Sequence, residues 1–256
     1  MGIVAFLLGS LMYTLSAQTE QRNFEETRRR LELARELVLT FAVVKGKLPC
    51  PARSIATATP ATTAGDEVNA GGTTGCVGDS VTDYYGGTSG GVTFGLLPAR
   101  SIGFQQTDSS GFAVDAWNNR IRYAVAQFVE SGTCAGSVTN PHFVVSANMK
   151  ANGIGCQPGD LLICRSATGI TSTACGGAAN QIMSQNLVAA IIYSTGKNGA
   201  TGGTGLDEAA NLNGDRVFVY HAPNSSSAAN GEFDDQFTWI TVGELYGKLI
   251  AAGVLP

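Results

Sequence analysis

Residues 1–45 read MGIVAFLLGSLMYTLSAQTEQRNFEETRRRLELARELVLTFAVVK, and this stretch decides the fold. No proline occurs before Pro49, and no glycine lies between Gly9 and Gly46. Since these two residue types end or interrupt helices, the stretch predicts one continuous helix over residues 1–45, with Gly46 as its stop. At about 1.5 Å per residue such a helix is roughly 65–70 Å long, so part of it projects from a small domain.

Two different surfaces follow each other along this predicted helix. Residues 1–19 carry no charged side chain, whereas residues 20–45 carry many. The second part still has apolar residues at spacings of three, four and seven, namely Phe24, Leu31, Ala34, Leu37, Val38, Phe41 and Ala42. Such a stripe is typical of a helix that packs on a hydrophobic core.

Three interpretations of the apolar end are open. A membrane-spanning helix needs about 20 apolar residues, and residues 1–17 are fewer and include polar side chains. A cleaved secretory signal needs a basic region before its apolar stretch, and the sequence has none there. We favour the third interpretation, a helix that first sits in a membrane and later packs against copies of itself. The residues expected to form this assembly helix are Ile3, Phe6, Leu7, Leu11, Leu15, Phe24 and Leu31.

Composition sets limits on the rest of the chain. The chain has 256 residues and a net charge of −4, which is enough length for one sizeable core. We expect residues 46–256 to form a globular, β-rich head. The sixteen Lys and Arg residues form no basic patch of the kind that binds nucleic acid, so no nucleic-acid partner is predicted.

The six cysteines all lie in the head, at positions 50, 76, 134, 156, 164 and 175. They show no CxxC spacing and accompany only two histidines, which argues against a zinc site. An even number on loop-rich sequence indicates disulfides formed in an oxidising compartment. Six cysteines can pair in about fifteen ways. We favour the set in which each bond closes a short loop, namely Cys50–Cys76, Cys134–Cys156 and Cys164–Cys175. Six buried thiols in a cytosolic protein are the alternative.

The head reads as strands separated by glycine-rich or polar connections. Residues 52–95 predict a long surface loop. A capping box at 241–244, in which the Thr241 hydroxyl can accept the backbone N–H of Glu244, predicts a short C-terminal helix. The predicted strands cover residues 121–125, 142–146, 160–165, 187–194, 216–221 and 236–240. We therefore expect an α+β fold, with the long N-terminal helix packed on a mostly antiparallel sheet that carries long, disulfide-stapled loops.

One acidic segment near the C-terminus is the best candidate for a binding site. Carboxylate and amide oxygens are the ligands that calcium prefers, although the segment does not match the EF-hand spacing. The alternative is a set of Asx turns and helix caps in a solvated loop. The predicted calcium ligands are Asp207, Asn211, Asn213, Asp215, Asp234 and Asp235, with Glu208 and Glu232 nearby in the sequence.

No motif predicts catalysis, and we expect the protein not to be an enzyme. Asp115 and Trp117 fit a turn and a core anchor better than an active site. Residues 196–199 lack the spacing of a phosphate-binding loop and predict a turn. His142 and His221 are the only histidines, and no GxSxG sequence frames a nucleophilic serine.

Several short motifs, taken in order, resemble the type IV pilin-like proteins, in particular the large pseudopilin-like members of Gram-negative bacteria. The apolar helix continues through residues 15–18 and 25–29 and is followed by Gly-Lys-Leu-Pro-Cys-Pro at 46–51. Further along the chain come Gly-Leu-Leu-Pro at 95–98, Asp-Ala-Trp-Asn-Asn-Arg-Ile-Arg-Tyr at 115–123, Ser-Thr-Gly-Lys-Asn-Gly at 194–199, and Phe-Asp-Asp at 233–235 with Trp239. Each motif alone is weak, and their order makes the resemblance specific.

This resemblance implies a structural subunit of a pilus-like filament whose core consists of packed N-terminal helices. The implied partners are other copies of the chain, the pilus or secretion assembly machinery, and the inner membrane before assembly. The implied location is the inner membrane first, and then a periplasmic or extracellular filament at the cell surface. Calcium bound in a C-terminal loop, known for some pseudopilins, is also implied.

One departure from the family pattern concerns the start of the chain. Family members begin with a basic leader that ends in glycine, and they carry a glutamate close to the cleavage point. Neither feature precedes Ile3, so we expect Met1 not to be the natural beginning of the helix.

Two alternative functions stay open. The first is a minor pseudopilin of a type II secretion system that binds a substrate or other pseudopilins. The second is a membrane-tethered periplasmic hydrolase or carbohydrate-binding domain.

Overall fold

The computed structural model describes residues 2–54, 64–69, 75–76, 81–127, 141–155, 160–184, 187–203 and 205–255, with the side chains of the first helix described from Ser16 onward. The fold is a mixture of α-helices and β-strands, as expected from the sequence. The helices are α1 (Gly2–Lys45), α2 (Val81–Tyr85), α3 (Ala99–Ile102), α4 (Ser146–Asn152), α5 (Leu206–Leu212) and α6 (Val242–Ala251). Single 3₁₀ turns lie at Gly153–Gly155, Ala178–Asn180 and Gly199–Thr201.

Eight strands form three sheets among the described residues. They are β1 (Gly87–Ser89), β2 (Val92–Phe94), β3 (Arg122–Val125), β4 (Leu162–Cys164), β5 (Gln181–Met183), β6 (Val188–Ser194), β7 (Val217–Val219) and β8 (Gln236–Thr241). The central sheet has the order β3-β6-β8 and is antiparallel throughout. A second sheet has the order β5-β4-β7, in which the β4–β7 pair is parallel, and β1 and β2 form a hairpin. The expectation of a mostly antiparallel arrangement is therefore confirmed.

Helix α1 packs on the central sheet through the apolar stripe seen in the sequence. Leu31, Ala34, Val38 and Ala42 are buried in the main core, where α1 contacts β6, β8 and α6. The helix ends at Gly46, whose φ of +68° lies in the left-handed region that favours glycine. Part of α1 thus belongs to the same core as the head that follows it.

The terminal helix α6 begins as the capping box predicts. The hydroxyl of Thr241 accepts a hydrogen bond from the backbone N–H of Glu244 at 3.3 Å. Such a cap satisfies a backbone donor that has no partner inside the helix. Leu245 and Leu249 then bury the inner face of α6 against the core.

Two of the three predicted disulfides are present. Cys50 is bonded to Cys76, and Cys164 is bonded to Cys175. The predicted pair Cys134–Cys156 lies outside the described residues. The confirmed bonds close loops with sequence separations of 26 and 11 residues.

Residues 142–146 do not form the predicted strand, which is a correction. The chain turns there, with the N–H of Val145 bonded to the carbonyl of His142 at 3.4 Å, and α4 begins at Ser146. Residues 142–145 are all buried, so their apolar pattern reports burial of a turn rather than pairing of a strand. Periodicity over so few residues does not distinguish the two.

The predicted long surface loop over residues 52–95 is also corrected. Its described part contains α2, β1 and β2, and the Tyr84 and Tyr85 side chains of α2 are buried in the main core. Gly90 and Gly91 both have positive φ, the backbone that a two-residue hairpin turn requires. Within the described residues, no helix has an apolar stretch long enough to cross a bilayer.

Candidate functional site

A tight turn at residues 115–119 anchors α1 to the head. The carboxylate of Asp115 accepts the backbone N–H groups of Trp117 and Asn119 at 2.9 and 2.8 Å, and its second oxygen accepts the hydroxyl of Ser194 at 2.5 Å. Asn118 has a φ of +68°, the only positive value of a non-glycine residue in the described chain. Asp115 therefore fixes a turn, as the sequence indicates. Burial raises the pKa of Asp115, although these hydrogen bonds act in the opposite direction.

Three side chains of α1 hold this turn. Arg30 donates to the backbone carbonyls of Val114 and Asp115 at 3.1 and 2.7 Å. The Thr27 hydroxyl, which is fully buried, accepts the N–H of Ala116 at 3.1 Å. Phe24 meets Trp117 edge-on. These contacts fix the angle at which α1 leaves the head.

The contacts between α1 and the head become fewer toward the N-terminus of α1. Glu20 forms an ion pair with Lys197, and the pKa of Lys197 is raised by this hydrogen bond. Residues 16–19 are exposed. The helix therefore continues from these exposed residues into the uncharged sequence that precedes them.

The predicted assembly residues fall into two groups. Leu31 is buried in the core of the head and is not available to a neighbouring molecule, whereas Phe24 is partly buried against Trp117. The backbone at the other five positions is helical, and their side chains lie outside the described part, namely those of Ile3, Phe6, Leu7, Leu11 and Leu15.

Three buried carboxyl groups lie close together, one on α5 and two directly before β8. Oxygens of Glu208, Asp234 and Asp235 lie within 4.8 Å of one another. Each oxygen of Glu208 accepts the side-chain N–H₂ of Asn198 at 3.0 Å, and one also accepts the backbone N–H of Asp234 at 3.0 Å. Glu208 is the third residue of α5, where its carboxylate also accepts the N–H of Gly205.

Asp234 carries an unusual charge environment. Its Oδ2 accepts the backbone N–H groups of Lys197 and Asn198, while its buried Oδ1 has no hydrogen-bond partner among the described residues. Burial, together with the nearby charge of Glu208, raises the pKa of Asp234 to about 6. Burial also raises the pKa of Asp235 well above its ordinary value.

The six predicted calcium ligands do not come together as one set. Asp207 lies apart from the carboxyl cluster of the described residues. Its Oδ1 accepts the N–H of Ala167 and the side-chain N–H₂ of Asn230, and its Oδ2 lies 3.1 Å from Nε2 of His221. Asn213 and Asp215 bond to each other in a local turn, which is the alternative that the sequence offered. Asp234 and Asp235 are the two predicted ligands that meet in the cluster.

Asn211 acts as a structural bridge. Its side chain donates to the carbonyl of Val219 and accepts the N–H of the same residue, at 3.0 and 2.7 Å. The same N–H₂ group donates to Asp235 at 2.7 Å. Because Asn211 presents N–H groups rather than its oxygen to the carboxyl cluster, it is not placed as a cation ligand.

Most oxygens of the carboxyl cluster already accept hydrogen bonds. Calcium takes about six to eight oxygen ligands, whereas both oxygens of Glu208 and one oxygen of Asp234 are already bonded to N–H groups. The third member, Glu208, was not among the predicted ligands. The sequence did not predict a helix over residues 206–212. A glutamate in the first turn of a helix turns toward the helix start, and this is the signal that could have indicated its position.

The two histidines have structural environments. His142 is buried, its Nε2 lies 2.9 Å from the hydroxyl of Tyr246, and burial lowers its pKa to about 4. The ring of His221 stacks on Phe233, and its two nitrogens face Asp207 and the carbonyl of Ala222. The segment 196–199 forms a turn, as predicted.

A cleft of about 450 Å³ runs between α1, the end of β7 and β8, and we call it the β8 cleft. A shallower extension continues it along β8 to Trp239 and Arg35. Its floor includes Gln236 and Phe237 of β8. The rim on the helix side includes Phe24 and Arg28.

Comparisons with known proteins assign no family. No family model, no curated protein and no solved structure matches this chain. The function is therefore inferred from the residues and their geometry. Two features stand out. One is a long helix whose C-terminal half is anchored in the head and whose residues 16–19 are exposed, and the other is the cleft beside its anchored half.

Proposed function

We propose that the protein is a structural subunit of a type IV pilus-like filament, in which N-terminal helices pack in the core and the heads face outward. The observation that supports this proposal most is the division of α1. Its C-terminal half is buried in the head, at Leu31, Ala34 and Val38, while residues 16–19 are exposed and follow an uncharged, apolar sequence.

Packing of the apolar helix ends supplies a driving force for assembly. Each Å² of apolar surface removed from water contributes about 25 cal/mol, so side-by-side helices gain stability without any catalytic group. Contacts in which one face of a subunit meets a different face of the next do not close into a ring unless the rotation allows it. Repeated contacts of this kind produce a fibre.

A fixed angle between helix and head supports the same proposal. Regular filaments need every subunit to have the same shape, and the turn at residues 115–119 fixes α1 through Thr27, Arg30 and Phe24. The two disulfides likewise restrict the loops of the head and are expected in an oxidising compartment. We propose that the subunit waits in the inner membrane and that an assembly machinery then adds it to a surface filament.

The experiment is electron microscopy of material sheared from cells that express the full chain, with immunogold detection of the head. We expect labelled filaments, and we expect Leu11→Arg to remove them because a charge in the apolar stretch opposes helix packing. Leu33→Arg is the matched control, since Leu33 is already 43% exposed on the anchored half of α1. Labelled protein found only as a monomer in the membrane, or filaments unaffected by Leu11→Arg, would contradict the proposal.

A minor pseudopilin is the second candidate, and the β8 cleft favours it because a rare subunit at a filament tip needs a surface for binding other proteins. Quantitative immunoblotting distinguishes the two functions. A major subunit makes up most of the filament mass, whereas a minor subunit is present in small amounts beside another, abundant pilin-like protein.

A further inference from the structure

The central sheet ends in an open strand edge. β8 pairs with β6 on one side, and no other described strand pairs with it. β6 directs the backbone groups of Ala189 toward β3, as the bond from the Ala126 N–H to the Ala189 carbonyl shows. Since backbone groups in antiparallel strands alternate in direction, the N–H and C=O groups of Phe237 and Trp239 point away from β6, toward the β8 cleft.

These edge groups are only partly used. The carbonyl of Trp239 accepts a hydrogen bond from Arg35 of α1 at 3.0 Å. Among the residues that the structure describes, the backbone groups of Phe237 have no such partner on the cleft side. The side-chain Nε2 of Gln236, which also lines the cleft, is a buried donor that has no acceptor within the described part of the chain. The cleft therefore holds several donors and acceptors that a further chain segment satisfies by pairing.

On the opposite wall of the cleft, the backbone groups at the end of β7 already have hydrogen-bond partners and so cannot pair with β8. Both backbone groups of Val219, the last residue of β7, are bonded to the side chain of Asn211. Beyond it, the ring of Tyr220 lies 5.7 Å from the rings of Phe237 and Trp239, centroid to centroid. The rings of Tyr220, Phe237 and Trp239 thus form an aromatic floor between the end of β7 and β8.

Two arginines of α1 donate to backbone carbonyls of the head, and a third, Arg28, lies beside the cleft. The two that donate are Arg30 and Arg35. Arg28 lines the cleft, and within the described residues it forms neither an ion pair nor a hydrogen bond. A guanidinium group has five N–H donors, which suit the carbonyl oxygen of an extended chain.

We propose that the β8 cleft binds an extended polypeptide segment of another protein, which adds to the edge of β8 as a new strand. The segment pairs with the backbone of Phe237 and Trp239 and places alternate apolar side chains over the aromatic floor. One of its carbonyl oxygens accepts a hydrogen bond from Arg28. β8 has six residues, so at about 3.3 Å per residue the paired stretch is roughly 20 Å long. Strand addition of this type gives affinity through main-chain bonds and specificity through alternate side chains. This binding role goes beyond filament formation and does not depend on it.

The test uses fluorescence anisotropy with the full chain and a labelled synthetic eight-residue peptide of alternating valine and threonine. We expect saturable binding. N-methylation of the peptide on one edge, which removes its backbone donors, is expected to weaken binding at least about tenfold because several hydrogen bonds are lost. Hydrogen exchange of the Phe237 and Trp239 amides is expected to slow when the unmodified peptide is bound.

A pair of arginine variants tests the position of the peptide. Arg28→Ala is expected to weaken binding about three- to tenfold, since a charged donor to the peptide is lost. Arg22→Ala is the control, because Arg22 is also exposed on α1 but does not line the cleft. Three results would overturn the proposal: no saturable binding of the peptide, equal binding of the N-methylated peptide, or protection of these amides by self-association without peptide.

Discussion

The ring of Phe24 on α1 meets the ring of Trp117 edge-on, with 4.9 Å between the two centroids and 83° between the ring planes. This is the aromatic contact nearest to the exposed part of α1 among those described. Trp117→Ala is expected to lower the free energy of unfolding by about 1–3 kcal/mol, because apolar burial and the aromatic contact are both lost. Hydrogen exchange should also become faster in residues 20–27.

Chemical denaturation of the full chain measures the change, and Leu33→Ala serves as the control on the exposed face of α1. An unchanged exchange rate in residues 20–27 would show that Trp117 does not hold the helix. In that case Arg30 and Thr27 alone determine the helix angle.

Thr27 supplies a hydroxyl acceptor inside the interface between α1 and the turn. Thr27→Val keeps the shape of the side chain but leaves the N–H of Ala116, which is part-buried, without its acceptor. Such a loss costs about 1–3 kcal/mol. Thr40→Val is the matched control, since the Thr40 hydroxyl is exposed and bonds only within its own helix. Equal effects of the two substitutions in urea denaturation would contradict this role.

The two disulfides make different contributions to stability. In the loop-entropy account each removes freedom from the unfolded chain, by about 3 kcal/mol for a loop of some 15 residues and more for a longer loop. Cys50→Ala with Cys76→Ala should therefore destabilise the head more than Cys164→Ala with Cys175→Ala, by less than about 1 kcal/mol. Thermal unfolding of both double variants tests the order. A reversed order would indicate that packing around the bonds outweighs loop length.

Much of the fold could be predicted from the sequence because its strongest signals are local. The helix stop at Gly46, the stripe from Leu31 to Ala42 and the cap at Thr241 each depend on neighbouring residues along the chain. Short elements were harder to predict. Residues 143–145 are apolar and buried, but burial alone does not specify a strand.

The carboxyl cluster could be predicted only in part, for a geometric reason. Asp207 and Glu208 are neighbours in sequence, but successive helix residues point about 100° apart. Asp207 therefore faces His221, whereas Glu208 faces Asp234, which is 26 residues away in the chain. Grouping acidic residues by sequence proximity joins side chains that the helix separates.

The raised pKa of Asp234 predicts a pH-dependent stability. Its folded pKa is about 6 against 3.8 for the free group, so between about pH 4 and 6 the folded state binds more protons than the unfolded state. The free energy of unfolding therefore falls as the pH rises through this window. Asp234→Asn removes the contribution of this carboxyl, while Asp235, whose pKa is also raised, keeps its own. Relative to the natural chain the variant should gain roughly 1–2 kcal/mol at pH 7 and much less at pH 4.

Urea denaturation at pH 4, 5, 6 and 7 measures the difference between the two proteins, in the presence of a chelator. Glu25→Gln is the control because Glu25 is exposed on α1. A difference that does not change with pH would show that Asp234 is ionised in the folded state throughout this range.

Calcium provides an independent test of the same carboxyl cluster. Because Glu208 and Asp234 already accept N–H groups, a cation must displace several hydrogen bonds to reach them. We therefore expect 1 mM calcium to raise the free energy of unfolding at pH 7 by less than about 0.5 kcal/mol, as for a dissociation constant of 1 mM or weaker. Isothermal titration and thermal unfolding measure this, with magnesium as the control ion. A larger stabilisation that Glu208→Gln removes and Asp215→Asn does not would place a calcium ion in the cluster, and the reverse pattern would place it at the turn of Asn213 and Asp215.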